Sequence, residues 1–97
     1  MSFKIIWTSK ARSDYWNNID YLEAQWSEKE VKRFIAKTDD IIEKIAKGKV
    51  SFLSTDFENI SKVVVVKQIM LFYKVDKNNL YILRFWNTSQ NPDSLVL

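Results

Sequence analysis

Basic and aromatic side chains are interleaved through the last third of the chain. This pattern is typical of sheets that bind single-stranded nucleic acid, because cations contact phosphates while aromatic rings stack on bases. The residues concerned are Lys67, Phe72, Tyr73, Lys74, Tyr81, Arg84, Phe85 and Trp86. A second interpretation needs no ligand, since ordinary strands are also rich in aromatic and β-branched residues. The pattern alone therefore does not establish a nucleic-acid site.

Arg84 is the charged residue whose position the composition does not explain. Alternation along the last predicted strand places Arg84 on one side together with Leu80, Ile82 and Trp86. A guanidinium in such an apolar row must find an acceptor, because burying an unpaired charge is costly. The acceptor is either a partner within the chain or a ligand, and the sequence leaves both open.

The composition excludes most of the usual catalytic and metal-binding chemistry. The chain has 97 residues with no histidine, no cysteine and one glycine. It therefore has no Ser-His triad, no cysteine nucleophile, no zinc finger and no glycine-rich phosphate loop. Any chemistry must use Lys, Arg, Tyr, Asp, Glu or Ser, and we expect no metal and no cofactor. The net charge of +3 permits an anionic partner without requiring one.

Charged residues of the second predicted helix have simple explanations. Acidic and basic residues four positions apart pair on a helix surface, which accounts for Asp40 with Lys44 and for Glu43 with Lys47. A short basic stripe is formed by Lys29, Arg33 and Lys37. The stripe is suited to a phosphate or an acidic partner, but a solvated helix face is the interpretation we favour.

Hydrophobic periodicity predicts the elements of the first half. Residues 3–7 form a first strand, and Ser9 is the predicted N-cap of a helix. One apolar face of that helix comprises Ala11, Tyr15, Ile19, Leu22 and Trp26. Ser27 and Glu30 have the spacing of a capping box that opens a second helix, and Gly48 suits its left-handed end. The buried stripe predicted for this helix consists of Val31, Phe34, Ile35, Thr38, Ile41, Ile42 and Ile45.

The second half changes to the period of strands. Residues 49–59 are predicted to be a packed loop, followed by strands at 63–66, 69–75 and 80–86 with a turn at 76–79. Short connections favour antiparallel pairing of consecutive strands. The order is β-α-α-β-β-β, which predicts an α+β fold with a helical hairpin packed on a twisted, all-antiparallel sheet. We expect one domain spanning residues 1–97. Its start lacks a signal peptide and no apolar run could span a membrane, so we expect a cytoplasmic protein.

Three segments in register resemble signatures of the RelE/ParE superfamily of toxins from bacterial type II toxin–antitoxin modules, which act in plasmid stabilization. The first helix contains Ala11-x-x-Asp14-Tyr15 followed by Ile19-Asp20-Tyr21-Leu22. The segment from Met70 to Val75 is similar to the penultimate strand of the family. The segment from Ile82 to Pro92 resembles its closing strand, polar loop and x-Q-x-P turn. The resemblance covers nearly the whole chain and agrees with the order of elements.

The resemblance implies two activities. RelE-like members cleave mRNA on the ribosome without a metal, and ParE-like members bind DNA gyrase. A nuclease would use Lys62, Lys67, Tyr73 and Arg84. This sequence departs from the nuclease pattern, because Met70 stands where a strand arginine is expected, Ser89 or Gln90 where a late arginine is expected, and no tyrosine follows Pro92. We therefore expect a ParE-like toxin that acts by binding. The alternatives are a ribosome-dependent mRNA endonuclease and a decayed member that retains only antitoxin binding.

The resemblance also implies the partners. We expect a cognate antitoxin and either DNA gyrase or the ribosome as the target, with no membrane and no small-molecule ligand. The residues expected to contact the target or the antitoxin are Arg84, Trp86, Asn87, Gln90, Trp16 and Trp26.

Overall fold

A helical hairpin packs on one face of a five-stranded sheet whose strand order is β1-β5-β4-β3-β2. The computed structural model describes residues 2–49, 53–54, 59–89 and 95. The elements are β1 (Lys4–Trp7), α1 (Ser9–Gln25), α2 (Glu28–Ala46), β2 (Leu53–Ser54), β3 (Ile60–Val66), β4 (Ile69–Asp76) and β5 (Asn79–Asn87). The predicted α+β class and the helical hairpin are confirmed. The predicted loop at 49–59 contains the short strand β2, while residues 50–52 and 55–58 lie outside the described part.

The predicted antiparallel pairing holds for every strand pair except one. β3, β4 and β5 form an antiparallel meander, and β2 pairs with β3 in the same sense. β1 pairs with β5 in parallel, from Lys4 opposite Asn79 to Trp7 opposite Ile82, so the sheet is mixed. Short turns force antiparallel pairing only between consecutive strands. The long path through both helices removes that constraint from β1 and β5.

The N-cap of α1 lies one residue before the predicted Ser9. Thr8 has an extended backbone, and its Oγ1 accepts a hydrogen bond from the Ala11 amide at 3.1 Å. The same hydroxyl donates to the Ile82 carbonyl of β5 at 2.9 Å. Thr8 is therefore held by the sheet as well as by the helix. A reading of local preferences alone does not distinguish it from Ser9, because both residue types are good caps.

The two ends of α2 differ in how well they were predicted. Ser27 is the N-cap, but its side chain makes no capping hydrogen bond, so the predicted capping box is wrong. The Glu30 carboxylate instead lies 3.9 Å from the Lys67 ammonium. At the other end Gly48 has φ 71°, as predicted. The Gly48 and Lys49 amides donate to the carbonyls of Ile45 and Lys44, which completes a Schellman motif.

The core lies between the helices and the sheet. α2 buries Val31, Phe34, Thr38, Ile42, Ile45 and Ala46, while α1 buries Ala11, Asn18 and Leu22. The sheet contributes Ile69, Leu71, Tyr73, Leu80, Ile82 and Phe85. Two side chains predicted on packed faces are exposed, namely Ile35 at 37% and Trp26 at 51%. Among the described helices none is both long and apolar enough to cross a membrane.

Candidate functional site

A β-bulge in β5 determines which way Arg84 faces. Phe72 of β4 is opposite Arg84 and Tyr73 is opposite Ile82, so Leu83 has no partner on β4. An extra residue shifts the alternation of every side chain that follows it. Ile82 and Phe85 are therefore both in the core, and Arg84 lies on the opposite face of the sheet. The predicted single row of Leu80, Ile82, Arg84 and Trp86 is wrong for this reason.

Arg84 has the acceptor that its position requires, and that acceptor is Asp14 of α1. Arg84 Nε donates to Asp14 Oδ2 at 2.6 Å, and Arg84 Nη2 donates to Asp14 Oδ1 at 3.1 Å. The side chains of Arg84 and Asp14 are 15% and 14% exposed. The guanidinium also lies 5.6 Å from the centroid of the Trp86 ring. Two parallel charge-assisted bonds with little solvent are the strong form of an ion pair, so Arg84 has a structural role.

β1 pairs with β5 only as far as Ile82. Beyond that residue, side chains of α1 bond the backbone groups on the same edge of β5, which is called the outer edge below. The Phe85 amide donates to Asp14 Oδ2 at 3.1 Å, and Asn18 Nδ2 donates to the Phe85 carbonyl at 2.9 Å. Asp14 and Asn18 are four residues apart and thus lie on one helix face. Asn18 was missed by the sequence interpretation. Its signal is a polar residue within the packed half of an amphipathic helix.

The far face of the sheet, opposite the helices, carries cations in neighbouring strands. Lys62, Phe72 and Arg84 form one cross-strand row. The next row is formed by Val64, Met70 and Trp86. Because neighbouring strands are about 4.8 Å apart, the backbones of Lys62 and Arg84 are separated by about 10 Å. Lys74 follows Phe72 by two residues on the same side of β4. This arrangement of cations is suited to contact with a phosphate group.

The four residues expected of a nuclease do not all lie together. Lys62 and Arg84 share a row on the far face. Tyr73 is 3% exposed and belongs to the core on the helix side of the sheet. Lys67 lies in the turn between β3 and β4, where its ammonium is 4.3 Å from the centroid of the Trp26 ring. Only two of the four are thus placed to contact the same phosphate.

The residues expected to contact a partner are also distributed over several places. Trp16 is 63% exposed and Trp26 is 51% exposed. Trp16 lies near the middle of α1 and Trp26 is its C-cap, and their separation of ten residues corresponds to about 15 Å along the helix axis. Trp86 and Asn87 are buried near the end of β5. Gln90 lies outside the described residues.

An aromatic cluster anchors α1 to the sheet beside the Asp14–Arg84 pair. The ring of Tyr15 contacts those of Trp7, Phe34 and Phe85, with centroid separations of 5.2–5.5 Å. Burial, and to a smaller extent the nearby carboxylate of Asp39, raises the pKa of Tyr15 above its ordinary value of 10.0. The hydroxyl therefore stays protonated at neutral pH, and the cluster positions α1 without supplying a base.

Exposed ion pairs of α2 have the predicted form. Lys44 lies 3.0 Å from Asp40, and Lys47 lies 2.6 Å from Glu43. The hydrogen bond from Lys47 lowers the pKa of Glu43. Within the described ranges, no group of three acidic residues is placed to hold a metal ion.

Comparison with solved structures shows that several proteins share this fold. The structure titled "Chromosomal ParDE TA system from P. aeruginosa" matches with a TM-score of 0.71 at 11% identity and covers 87% of this chain and 94% of that one. The E. coli DinJ-YafQ toxin-antitoxin complex matches with a TM-score of 0.63 at 10% identity, covering 92% and 96%. The YoeB dimer from Staphylococcus aureus matches with a TM-score of 0.60 at 16% identity, covering 88% and 95%.

Sequence comparison identifies the family to which the chain belongs. The family described as "ParE toxin of type II toxin-antitoxin system, parDE" matches residues 5–92. The match spans most of the chain, and the chain belongs to this family. No curated protein sequence matches it significantly.

Proposed function

We propose that this toxin inhibits growth by binding DNA gyrase and that a cognate antitoxin neutralises it. The observation that carries the proposal is the match to the ParE toxin family over residues 5–92. Gyrase acts on DNA in the cytoplasm, which is where the proposal places this chain. Inhibition by binding needs a stable surface and does not need an assembled set of catalytic groups.

The placement of the polar side chains supports binding over cutting. Tyr73 is a core residue, and Arg84 is held by Asp14 in a bidentate pair. A group that moves protons must reach the reacting atom in a plausible pose, and a core tyrosine does not. Lys62 and Lys74 remain on the far face and contribute positive charge there.

Exposed tryptophans supply the surface that an antitoxin would cover. Trp16 and Trp26 expose more than half of their area, whereas large apolar residues are usually buried. Tryptophan is among the residue types that dominate binding energy when a partner removes it from water. The separation of the two side chains along α1 is suited to a helix or an extended segment that follows the helical hairpin.

The proposal is tested by a supercoiling assay with purified gyrase. We expect the purified chain to inhibit supercoiling or to trap cleaved DNA, and we expect the product of the neighbouring gene to restore activity. In cells, induction of the chain alone should arrest growth, and co-expression of the neighbour should relieve the arrest. Normal supercoiling at a large excess of the chain would exclude gyrase as the target.

A second candidate function is ribosome-dependent mRNA cleavage. The observation that favours it is the alignment of Lys62 with Arg84 in one row of the far face, with Lys74 close by. Primer extension on messages translated in the presence of the chain would show cuts in the ribosomal A site. Lys62→Ala should abolish the cuts, while Lys32→Ala is a matched control because Lys32 is an exposed residue paired with Glu28 on α2.

The third alternative is distinguished by the same experiments. A decayed toxin would leave growth, supercoiling and messages unchanged while still forming a stable complex with the antitoxin. Absence of both a growth effect and a complex would exclude all three candidates.

A further inference from the structure

A polar cleft opens between α1 and the end of β5. Its volume is about 120 Å³, and its lining consists of Asp14, Asn17, Asn18, Tyr21, Phe85, Asn87 and Ser89. A space of this size holds several water molecules or one peptide group. Asn18 and Asn87 are each only 5% exposed, so this part of the lining is built from buried amides.

Two hydrogen bonds donated by Nδ2 fix the orientation of the Asn18 side-chain amide. Asn18 Nδ2 donates to the Asp14 carbonyl and to the Phe85 carbonyl, each at 2.9 Å. Both of its N–H groups are therefore used. Its Oδ1 has no hydrogen-bond partner among the described residues. This wall of the cleft thus presents an unused acceptor.

The side-chain amide of Asn87 is fixed through its oxygen, whereas that of Asn18 is fixed through its nitrogen. Asn87 Oδ1 accepts hydrogen bonds from the Ser89 amide at 2.9 Å and from the Ser89 hydroxyl at 2.7 Å. The Nδ2 atom, with two N–H groups, has no partner within the part of the chain that the structure describes. This wall therefore presents unused donors. Neither Asn18 Oδ1 nor Asn87 Nδ2 is among the buried, unpartnered atoms of the described residues, so both atoms open on the cleft, where a ligand that displaces water can bond them.

The backbone of β5 adds to the same edge. The amide and carbonyl of Phe85 point to the outer edge of β5, where Asp14 and Asn18 take them. Backbone groups of every second residue in a strand point to the same side, so those of Asn87 also face this edge. At Phe85 the outer edge of β5 is covered by α1. At Asn87 the same edge faces the cleft. An extended segment could continue the edge there.

We propose that the cleft docks a peptide amide from an extended protein segment, which on the function proposed above belongs to the antitoxin. A peptide group offers one N–H to Asn18 Oδ1 and one carbonyl to Asn87 Nδ2. A phosphate does not suit the cleft, because its lining includes the Asp14 carboxylate and, among described residues, no Lys or Arg. Addition of an extended segment at a strand edge is a recurring mode of peptide recognition.

The first test uses a blocked peptide, N-acetyl-Ala-Gln-Ala-amide, titrated into the ¹⁵N-labelled chain. The side-chain amide signals of Asn18 and Asn87 should shift saturably in the millimolar range, as expected for a ligand that makes only a few bonds. In Asn17→Trp the shifts should disappear, because Asn17 is an exposed lining residue whose replacement fills the cleft. Asn17→Ala should retain them. Unchanged side-chain amide signals in the wild-type chain would overturn the proposal.

The second test uses the complex with the antitoxin. We expect Asn17→Trp to weaken antitoxin binding at least tenfold, and Asn78→Trp, at an exposed position in the turn at the other end of β5, to leave it unchanged. Equal affinities of wild type and Asn17→Trp would show that the antitoxin does not use the cleft and would overturn the proposal. If the wild-type chain forms no complex at all, the proposed function fails, and the peptide titration still decides the cleft.

Discussion

Asp14 of α1 and Arg84 of β5 form a bidentate ion pair across 70 residues of sequence. The same carboxylate accepts the Phe85 amide at 3.1 Å. One side chain thus neutralises a poorly exposed guanidinium and completes the outer edge of a strand. The pair fixes α1 against the bulged part of β5, where the polar cleft lies.

Asp14→Asn should destabilise the chain by about 2–4 kcal/mol, because it leaves a poorly exposed guanidinium without its countercharge. Urea unfolding followed by circular dichroism measures the loss. Arg84→Met should cost less, since Asp14 would retain the Phe85 amide as a donor. The control is Asp40→Asn, which removes an exposed pair with Lys44 and should change stability by less than about 0.5 kcal/mol. Equal effects of Asp14→Asn and Asp40→Asn would contradict the structural role of the pair.

Deletion of Leu83 should leave a folded chain with a regular β5. Leu83 is the extra residue of the bulge, so its removal leaves Ile82 opposite Tyr73 and Arg84 opposite Phe72, on the faces that they already have. Insertion of one alanine between Arg84 and Phe85 should instead abolish cooperative folding, because Phe85 and the residues after it would change faces. NMR dispersion and the sharpness of thermal unfolding measure both results. An unfolded deletion variant beside a folded insertion variant would show that the register is not set at this position.

The bulge also shows which features a sequence can predict. The buried stripe of α2 and the left-handed Gly48 depend on local periodicity and backbone preference, and both were predicted well. The side of Arg84 depends on Leu83, and the bulge coincides with the α1 contacts to the outer edge of β5. Those contacts come from residues more than 65 positions away, so alternation within β5 could not reveal them. The parallel pairing of β1 is a tertiary feature of the same kind.

The residues of the candidate site also divide into those that local sequence indicates and those that only tertiary contacts reveal. The sequence identified Arg84 as a charge in need of an acceptor, and Asp14 was visible only as part of a family signature. Asn18 was missed although a polar residue within the packed half of α1 is itself a signal. Its importance depends on the carbonyl of Phe85, which only the folded chain brings to it.

Thr38→Val should stabilise the chain by about 1 kcal/mol. Thr38 is fully buried, and its Oγ1 has no hydrogen-bond partner in the described ranges. Replacing an unsatisfied hydroxyl by a methyl group of similar shape removes a desolvation cost. For a domain of this size the melting temperature should rise by about 4–8 °C in calorimetry. Thr8→Val makes the same substitution at a hydroxyl that does have partners, because Thr8 Oγ1 caps α1 and bonds β5. This variant should lower the melting temperature.

Tyr15 should make the stability depend on pH above its ordinary pKa of 10.0. Burial raises the folded-state pKa, so the folded chain holds this proton more tightly than the unfolded chain does. The stabilising contribution is complete below pH 10.0 and is lost as the pH rises through the folded value. The free energy of unfolding should therefore fall more steeply above that pH in the wild type than in Tyr15→Phe. Parallel curves for the two proteins would contradict the assignment.

Trp16→Ala should weaken antitoxin binding at least tenfold and leave folding nearly unchanged. The side chain is 63% exposed, so its removal should alter the free energy of unfolding by less than about 0.5 kcal/mol. Removal of a central tryptophan from an interface commonly costs more than 2 kcal/mol of binding energy. Calorimetric titration with the antitoxin measures the affinity. Asn78→Ala, at an exposed position in the turn between β4 and β5, is the control and should bind as the wild type does. Because Trp16 and Trp26 are about 15 Å apart along the helix, wild-type affinity for Trp16→Ala together with a loss for Trp26→Ala would place the antitoxin at the far end of α1.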